Sequence, residues 1–156
     1  MKILITYYSR TNITKKVAKE IQKDLECDIE EIVDLKNRSG IFGWIKSLID
    51  AIKQNQTNIK SIEKDPSDYD LVIIGTPVWA STMAPAILTY LKENSEKFKG
   101  VSLFCTCGSE GYNETFSKME EIVGKKAIET LFLTKEDLNN SFESKILSYT
   151  EKLKQS

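Results

Sequence analysis

Along this chain, short runs that are apolar at nearly every position alternate with longer stretches in which apolar residues recur every three or four positions. Runs such as Ile3-Leu4-Ile5 and Leu71-Val72-Ile73-Ile74 offer no polar side to solvent, so they fit strands buried on both faces. The pattern predicts strands over 2–8, 28–34, 70–76, 100–107 and 128–134, and helices over 13–26, 41–55, 85–97, 115–125 and 136–154. Ile13, Val17, Ile21 and Leu25 form the expected core stripe of the first helix; Leu138, Phe142, Ile146, Tyr149 and Leu153 form that of the last. Pro85 falls where the first turn of a helix accepts proline, and Gly124 where a helix can close. Regular alternation of strand and helix predicts an α/β fold, a parallel sheet with helices on both faces, in one domain over 1–156. The stretch 41–55 is more apolar than one stripe requires. Ile41, Ile45, Leu48 and Ile52 supply its core side, leaving Phe42 and Trp44 for a lid, an oligomer contact or packing under the preceding loop.

Composition narrows the class. With 156 residues the chain can bury a core that stands without staples. Its 22 Lys and Arg against 23 Asp and Glu, a net charge of −1, give no footprint for nucleic acid or an anionic membrane. No apolar run approaches the length that spans a bilayer and no signal pattern opens the chain, so a cytoplasmic location is expected. Three cysteines, an odd number, argue against a disulfide framework. Cys105 and Cys107 lie two apart on one predicted strand and so point to one face. Disulfide geometry would need considerable distortion there, and both read as packing residues. The absence of histidine removes the Ser-His and Cys-His nucleophile pairs and the commonest metal ligand, and neither a catalytic side chain nor a metal site is expected. No Gly-x-x-x-x-Gly-Lys-Ser/Thr motif occurs, and no Gly-x-Gly-x-x-Gly opens the first helix.

The candidate chemistry sits in three loops, each leaving the C-terminal end of a predicted strand, the edge where doubly wound sheets bind ligands. Ser9-Arg10-Thr11-Asn12-Ile13-Thr14 joins the first strand to the first helix. Hydroxyls and free backbone N–H groups converging on a positive helix end can hold a phosphate, although the same residues also suit an ordinary helix cap. Thr76-Pro77-Val78-Trp79-Ala80-Ser81-Thr82 follows the third strand, and Gly108-Ser109-Glu110-Gly111-Tyr112-Asn113 the fourth.

Ser9-x-Thr11-x-x-Thr14, Thr76-Pro77-Val78-Trp79-Ala80 and the Gly-rich turn at 108–111 together resemble the flavodoxin family, and the likeness spans the chain. The resemblance implies a three-layer αβα sandwich around a five-stranded parallel sheet of order 2-1-3-4-5, of the short-chain type. It implies FMN held non-covalently. Ser9, Arg10 (through its backbone), Thr11, Asn12, Ile13 and Thr14 would contact the phosphate; Pro77, Val78, Trp79, Ala80, Cys107, Gly108, Ser109 and Tyr112 would contact the ring. Two positions depart from the family pattern Ser/Thr-x-Thr-Gly-Asn-Thr. Asn12 replaces glycine but tolerates left-handed backbone, and Ile13 replaces asparagine and keeps only its N–H. The stretch Trp79-Ala80-Ser81-Thr82 contains no glycine, so a left-handed turn is less favourable there than it would be with one. The implied function is shuttling low-potential electrons between redox partner proteins, as a monomer or weak dimer. An NAD(P)H-dependent FMN or quinone reductase on the same fold is the alternative. Relatives of the carrier type are strongly acidic around the flavin, whereas this chain is nearly neutral, which weakens the case for electrostatic docking to a basic partner.

Overall fold

Strands that are apolar on both faces require cover on both sides, and the folded chain supplies it. The structure, a computed structural model, describes residues 1–36, 43, 45, 48–50, 52, 53 and 55–156. The elements in order are β1 (Ile3–Tyr7), α1 (Ile13–Leu25), β2 (Asp28–Glu31), β3 (Leu71–Trp79), β4 (Thr82–Met83), α2 (Pro85–Asn94), β5 (Gly100–Cys107), α3 (Tyr112–Val123), β6 (Thr130–Thr134), α4 (Asp137–Asn140) and α5 (Phe142–Gln155). The sheet runs β2-β1-β3-β5-β6 with every neighbour parallel, while β4 folds back antiparallel on β3. Leaving the two-residue β4 aside, the strand order is the expected 2-1-3-4-5.

Alternation along the strands divides the core in two. Leu4, Val72, Ile74, Val101, Leu103 and Cys105 face one way and bury against Ile87, Tyr90 and Leu91 of α2 and Phe116 and Met119 of α3. Ile5, Tyr7, Leu71, Ile73, Phe104, Leu131 and Leu133 face the other way, against Val17, Ala18 and Ile21 of α1 and Ile146, Tyr149 and Leu153 of α5. Register places Gly75 beside Phe104, and the Phe104 ring fills the space a Gly75 Cβ would need.

Several boundaries differ from those the pattern predicts. β3 continues past residue 76 to Trp79: β1 ends opposite Gly75, so Pro77 has no β1 neighbour that needs its missing N–H. β2 stops at Glu31, and Asp34 survives only as an isolated bridge to Ile59. α3 starts at Tyr112, three residues early, because Gly111 (φ 86) makes the turn that launches it. The last predicted helix is broken at Ser141 into α4 and α5. In the first helix Ile13 is 44% exposed; the buried face is Thr14, Val17, Ala18 and Ile21, since the first helical position hangs over the sheet edge.

Within 41–55, Gly43, Ile45, Leu48, Ile49, Asp50 and Ile52 are helical. The expected core stripe fails there, with Ile45 44% and Ile52 62% exposed. Asp50 is buried, with Lys36 Nζ 3.7 Å from its carboxylate. Ile41, Phe42 and Trp44 lie outside the described residues.

Candidate functional site

The first loop leaves β1 at Tyr7, is tied to β3 by Tyr8 N–H donating to the Gly75 carbonyl (3.1 Å), and enters α1 at Ile13. Asn12 makes the entry in left-handed backbone (φ 64, ψ 3), the conformation for which its short polar side chain suits it. The Ser9 hydroxyl accepts the Lys15 N–H (3.2 Å), closing the turn. Thr11, Asn12 and Ile13 are exposed and Ser9 and Arg10 half-buried, so the turn faces solvent at the positive end of α1. Thr14 is buried, its hydroxyl 2.9 Å from that of Thr106 at the end of β5. Lys15 is bound to Glu31 (2.6 Å), which also accepts the Tyr7 phenol (3.1 Å). Burial first, then the Glu31 charge, hold that phenol far above its ordinary pKa, so it stays a donor.

The second loop is a tight hairpin. Val78 pairs with Met83 and Trp79 with Thr82, while Ala80 (φ 50) and Ser81 (φ 55) form the two-residue turn, both left-handed despite the lack of glycine. Two positive φ values match the twist of the flanking strands, which is what a two-residue hairpin demands. The Thr76 hydroxyl braces the hairpin, accepting from Ala84 N–H (3.0 Å) and donating to the Pro77 carbonyl (2.9 Å). Trp79, half-buried, meets the Tyr8 ring edge-to-face at 5.7 Å and 88°, which joins the first and second loops.

The third loop begins at half-buried Cys107 and runs through exposed Gly108, Ser109 and Glu110. A Cβ on Gly108 would meet nothing within 4 Å, so the backbone faces open space. At Gly111 a Cβ would lie 2.9 Å from the Ser81 Oγ, and Lys118 Nζ donates to the Ser81 carbonyl (3.0 Å), so the second and third loops are stitched together. Tyr112 lies flat on Phe132 (3.9 Å, 4°), with Lys145 Nζ 4.2 Å from the Phe132 ring centre. Cys105 and Cys107 are free thiols. The neighbouring Cys107 thiol, with burial behind it, pushes the Cys105 thiol up, and the same neighbour lowers Cys107, whose Sγ donates to the Leu133 carbonyl (3.9 Å).

Three loops from distant parts of the chain thus converge on one sheet edge. Thr14 reaches Thr106, Trp79 meets the first loop through Tyr8, and Ser81 abuts Gly111. Tyr112 has one face taken by Phe132. Sequence reasoning missed Tyr8, Thr106 and Lys118 as side chains that connect the loops; Thr106 alone carried a usable signal, since alternation sets it opposite Cys105 and Cys107. On the β2 side a cleft of about 470 Å³ borders Ser9, Thr11, Glu31 and Asp34. Among the described residues no His, Cys, Asp and Glu group is placed to hold a metal, and no helix is long and apolar enough to cross a membrane.

The family model described as Flavodoxin matches residues 2–145. The chain belongs to the flavodoxin family. Solved structures with this flavodoxin fold include a flavoprotein from Lactobacillus acidophilus in complex with FMN, at 25% identity over 88% of this chain and 96% of that one, with a TM-score of 0.74. A flavoprotein from Bacteroides eggerthii aligns at 23% identity over 96% of both chains, with a TM-score of 0.81. A Fusobacterium nucleatum flavodoxin bound to flavin mononucleotide aligns at 16% identity over 99% of this chain and 97% of that one, with a TM-score of 0.63. These last two likenesses concern the fold alone. No curated protein matches the chain. Against the flavodoxin fold, the three loops described above occupy the C-terminal edge of the sheet on the β1, β3 and β5 strands.

Proposed function

We propose that residues 1–156 form one cytoplasmic domain that binds FMN non-covalently and passes low-potential electrons between redox partner proteins, as a monomer or weak dimer. The observation that carries this reading is the pairing of a solvent-facing turn at the positive end of α1, opened by left-handed Asn12, with an open third-loop backbone at Gly108. The donor set fits the cofactor. Ser9, Arg10, Thr11, Asn12, Ile13 and Thr14 would hold the phosphate. Pro77, Val78, Trp79 and Ala80 on one side, with Cys107, Gly108, Ser109 and Tyr112 on the other, would hold the ring. When bound, the flavin supplies the electron chemistry, and the chain orients it, excludes water and sets its electrostatics. Three free thiols suit a reducing compartment.

The alternative, an NAD(P)H-dependent FMN or quinone reductase, draws support from the cleft of about 470 Å³ beside the first loop, which offers room for a second ligand. The deciding experiment titrates apoprotein with FMN and with riboflavin, then mixes the flavin-loaded protein with NADPH or NADH in a stopped-flow instrument. Tight FMN binding with weak riboflavin binding and no rapid bleaching is the expected result. Equal affinity for the two flavins overturns the phosphate loop, and rapid bleaching by a nicotinamide transfers the protein to the reductase class.

A further inference from the structure

Thr106, like Phe104, leaves β5 on the face toward α1, opposite to Cys105 and Cys107. Its Oγ1 stands 2.9 Å from Oγ1 of Thr14, the second residue of α1. Thr14 is 2% exposed and Thr106 7%, so water competes little for either hydroxyl. In such a pair each oxygen owns one proton and two lone pairs, and either can donate. Once one donates, the proton of the other is free for a third group. A phosphate oxygen settles the choice, because it only accepts.

Resting on the FMN reading above, we propose that Thr106 is a positioning residue for phosphate recognition. Its hydroxyl donates to Thr14 Oγ1, and the single Thr14 proton is thereby directed at the phosphate. Thr106 acts through Thr14. The relay runs from β5 to the first turn of α1, where the helix dipole already favours an anion, and each donated bond strengthens the next. The pair therefore sets how strongly the chain distinguishes phosphorylated from unphosphorylated flavin. It also mechanically joins the phosphate loop to the strand that ends at Cys107.

The test measures dissociation constants for FMN and riboflavin, by flavin fluorescence quenching, in the wild type, Thr106→Val, Thr106→Ser, Thr14→Val and the Thr14→Val/Thr106→Val double variant. In Thr106→Val the expected loss is about tenfold for FMN. Riboflavin should stay within about twofold. Thr106→Ser keeps the hydroxyl and should restore FMN affinity, and Thr106→Val should add nothing further in the Thr14→Val background. If valine is not accommodated, Thr106→Ala against Thr106→Ser makes the same comparison. Equal losses for both flavins, or unchanged FMN affinity, overturn the relay while leaving FMN binding intact. A wild type that shows no preference for FMN overturns the phosphate reading itself, and the relay with it.

Discussion

Ala80 and Ser81 hold left-handed backbone that L-residues resist by roughly 1–2 kcal/mol each. Glycine at position 80 removes that resistance but enlarges the unfolded ensemble, which offsets roughly 0.5–1 kcal/mol. The expected result for Ala80→Gly is a net gain of about 0.5–1 kcal/mol, read as a higher urea midpoint with an unchanged slope. A lower midpoint would show that the Ala80 side chain contributes more than its backbone conflicts with. The same two residues mark a limit of sequence reading. Asn12 was legible as a left-handed position because its side chain favours one. The left-handed pair at 80–81 was not, because nothing local asks for it; pairing of Val78 and Trp79 with Met83 and Thr82 imposes it. Trp79 likewise reads as a loop residue until the hairpin places it in a strand against Tyr8.

Among the elements, β3 and β5 pack at Gly75 so that any side chain there would collide with the Phe104 ring. Gly75→Ala is expected to destabilise by about 1–3 kcal/mol through overpacking. Phe104→Leu should recover part of that loss in the double variant although it is destabilising alone. Strict additivity of the two changes would show that they do not share the space. At the start of α4, Thr134 and Asp137 cap one another: Asp137 N–H donates to Thr134 Oγ1 (3.1 Å), and Thr134 N–H donates to Asp137 Oδ2 (2.9 Å). Burial opposes the Asp137 charge, but these bonds, with Lys145 and Ser141, hold its carboxyl below the usual range. A folded carboxyl that titrates lower than the unfolded one contributes in full above about pH 4, and the contribution is lost as pH falls further. Asp137→Asn should accordingly be less stable than the wild type at pH 7 and should lose less on acidification below about pH 4. Parallel stability curves for the two proteins would contradict this. Elements were legible where the period was long and regular, as in α1 and β5. Within 41–55 the described residues from Gly43 to Ile52 are helical as the pattern predicts, but the inward face was not legible, since Asp50 is buried while Ile45 and Ile52 are exposed.

For the whole molecule, a ligand that binds only the folded state raises its stability by mass action. At a hundredfold excess over the dissociation constant the gain is about 2.7 kcal/mol. For a chain of 156 residues that corresponds to an upward shift of the thermal midpoint of roughly 5–10 °C. FMN is expected to produce this shift in the apoprotein and riboflavin at the same concentration a much smaller one; scanning calorimetry reads both. That the sheet is parallel was legible from alternation, its strand order from the family resemblance, and the gathering of the three loops at one edge from both; the contact of Thr14 with Thr106 was not, since the two are far apart in sequence and only the sheet brings them together. The two half-buried thiols end up at opposite edges of that sheet. Cys107 closes β5 at the loop edge with its pKa lowered by the neighbouring Cys105 thiol, whereas Cys27 precedes β2 at the far edge, its thiol pushed up to about 11 by burial. Alkylation follows the thiolate, so Cys107 should be modified before Cys27. The molecule thereby carries its own chemical footprint: a ligand seated on the third loop should slow labelling of Cys107 and leave Cys27, at the remote edge, as the internal reference, so that peptide mass mapping would reveal occupancy without any colour change.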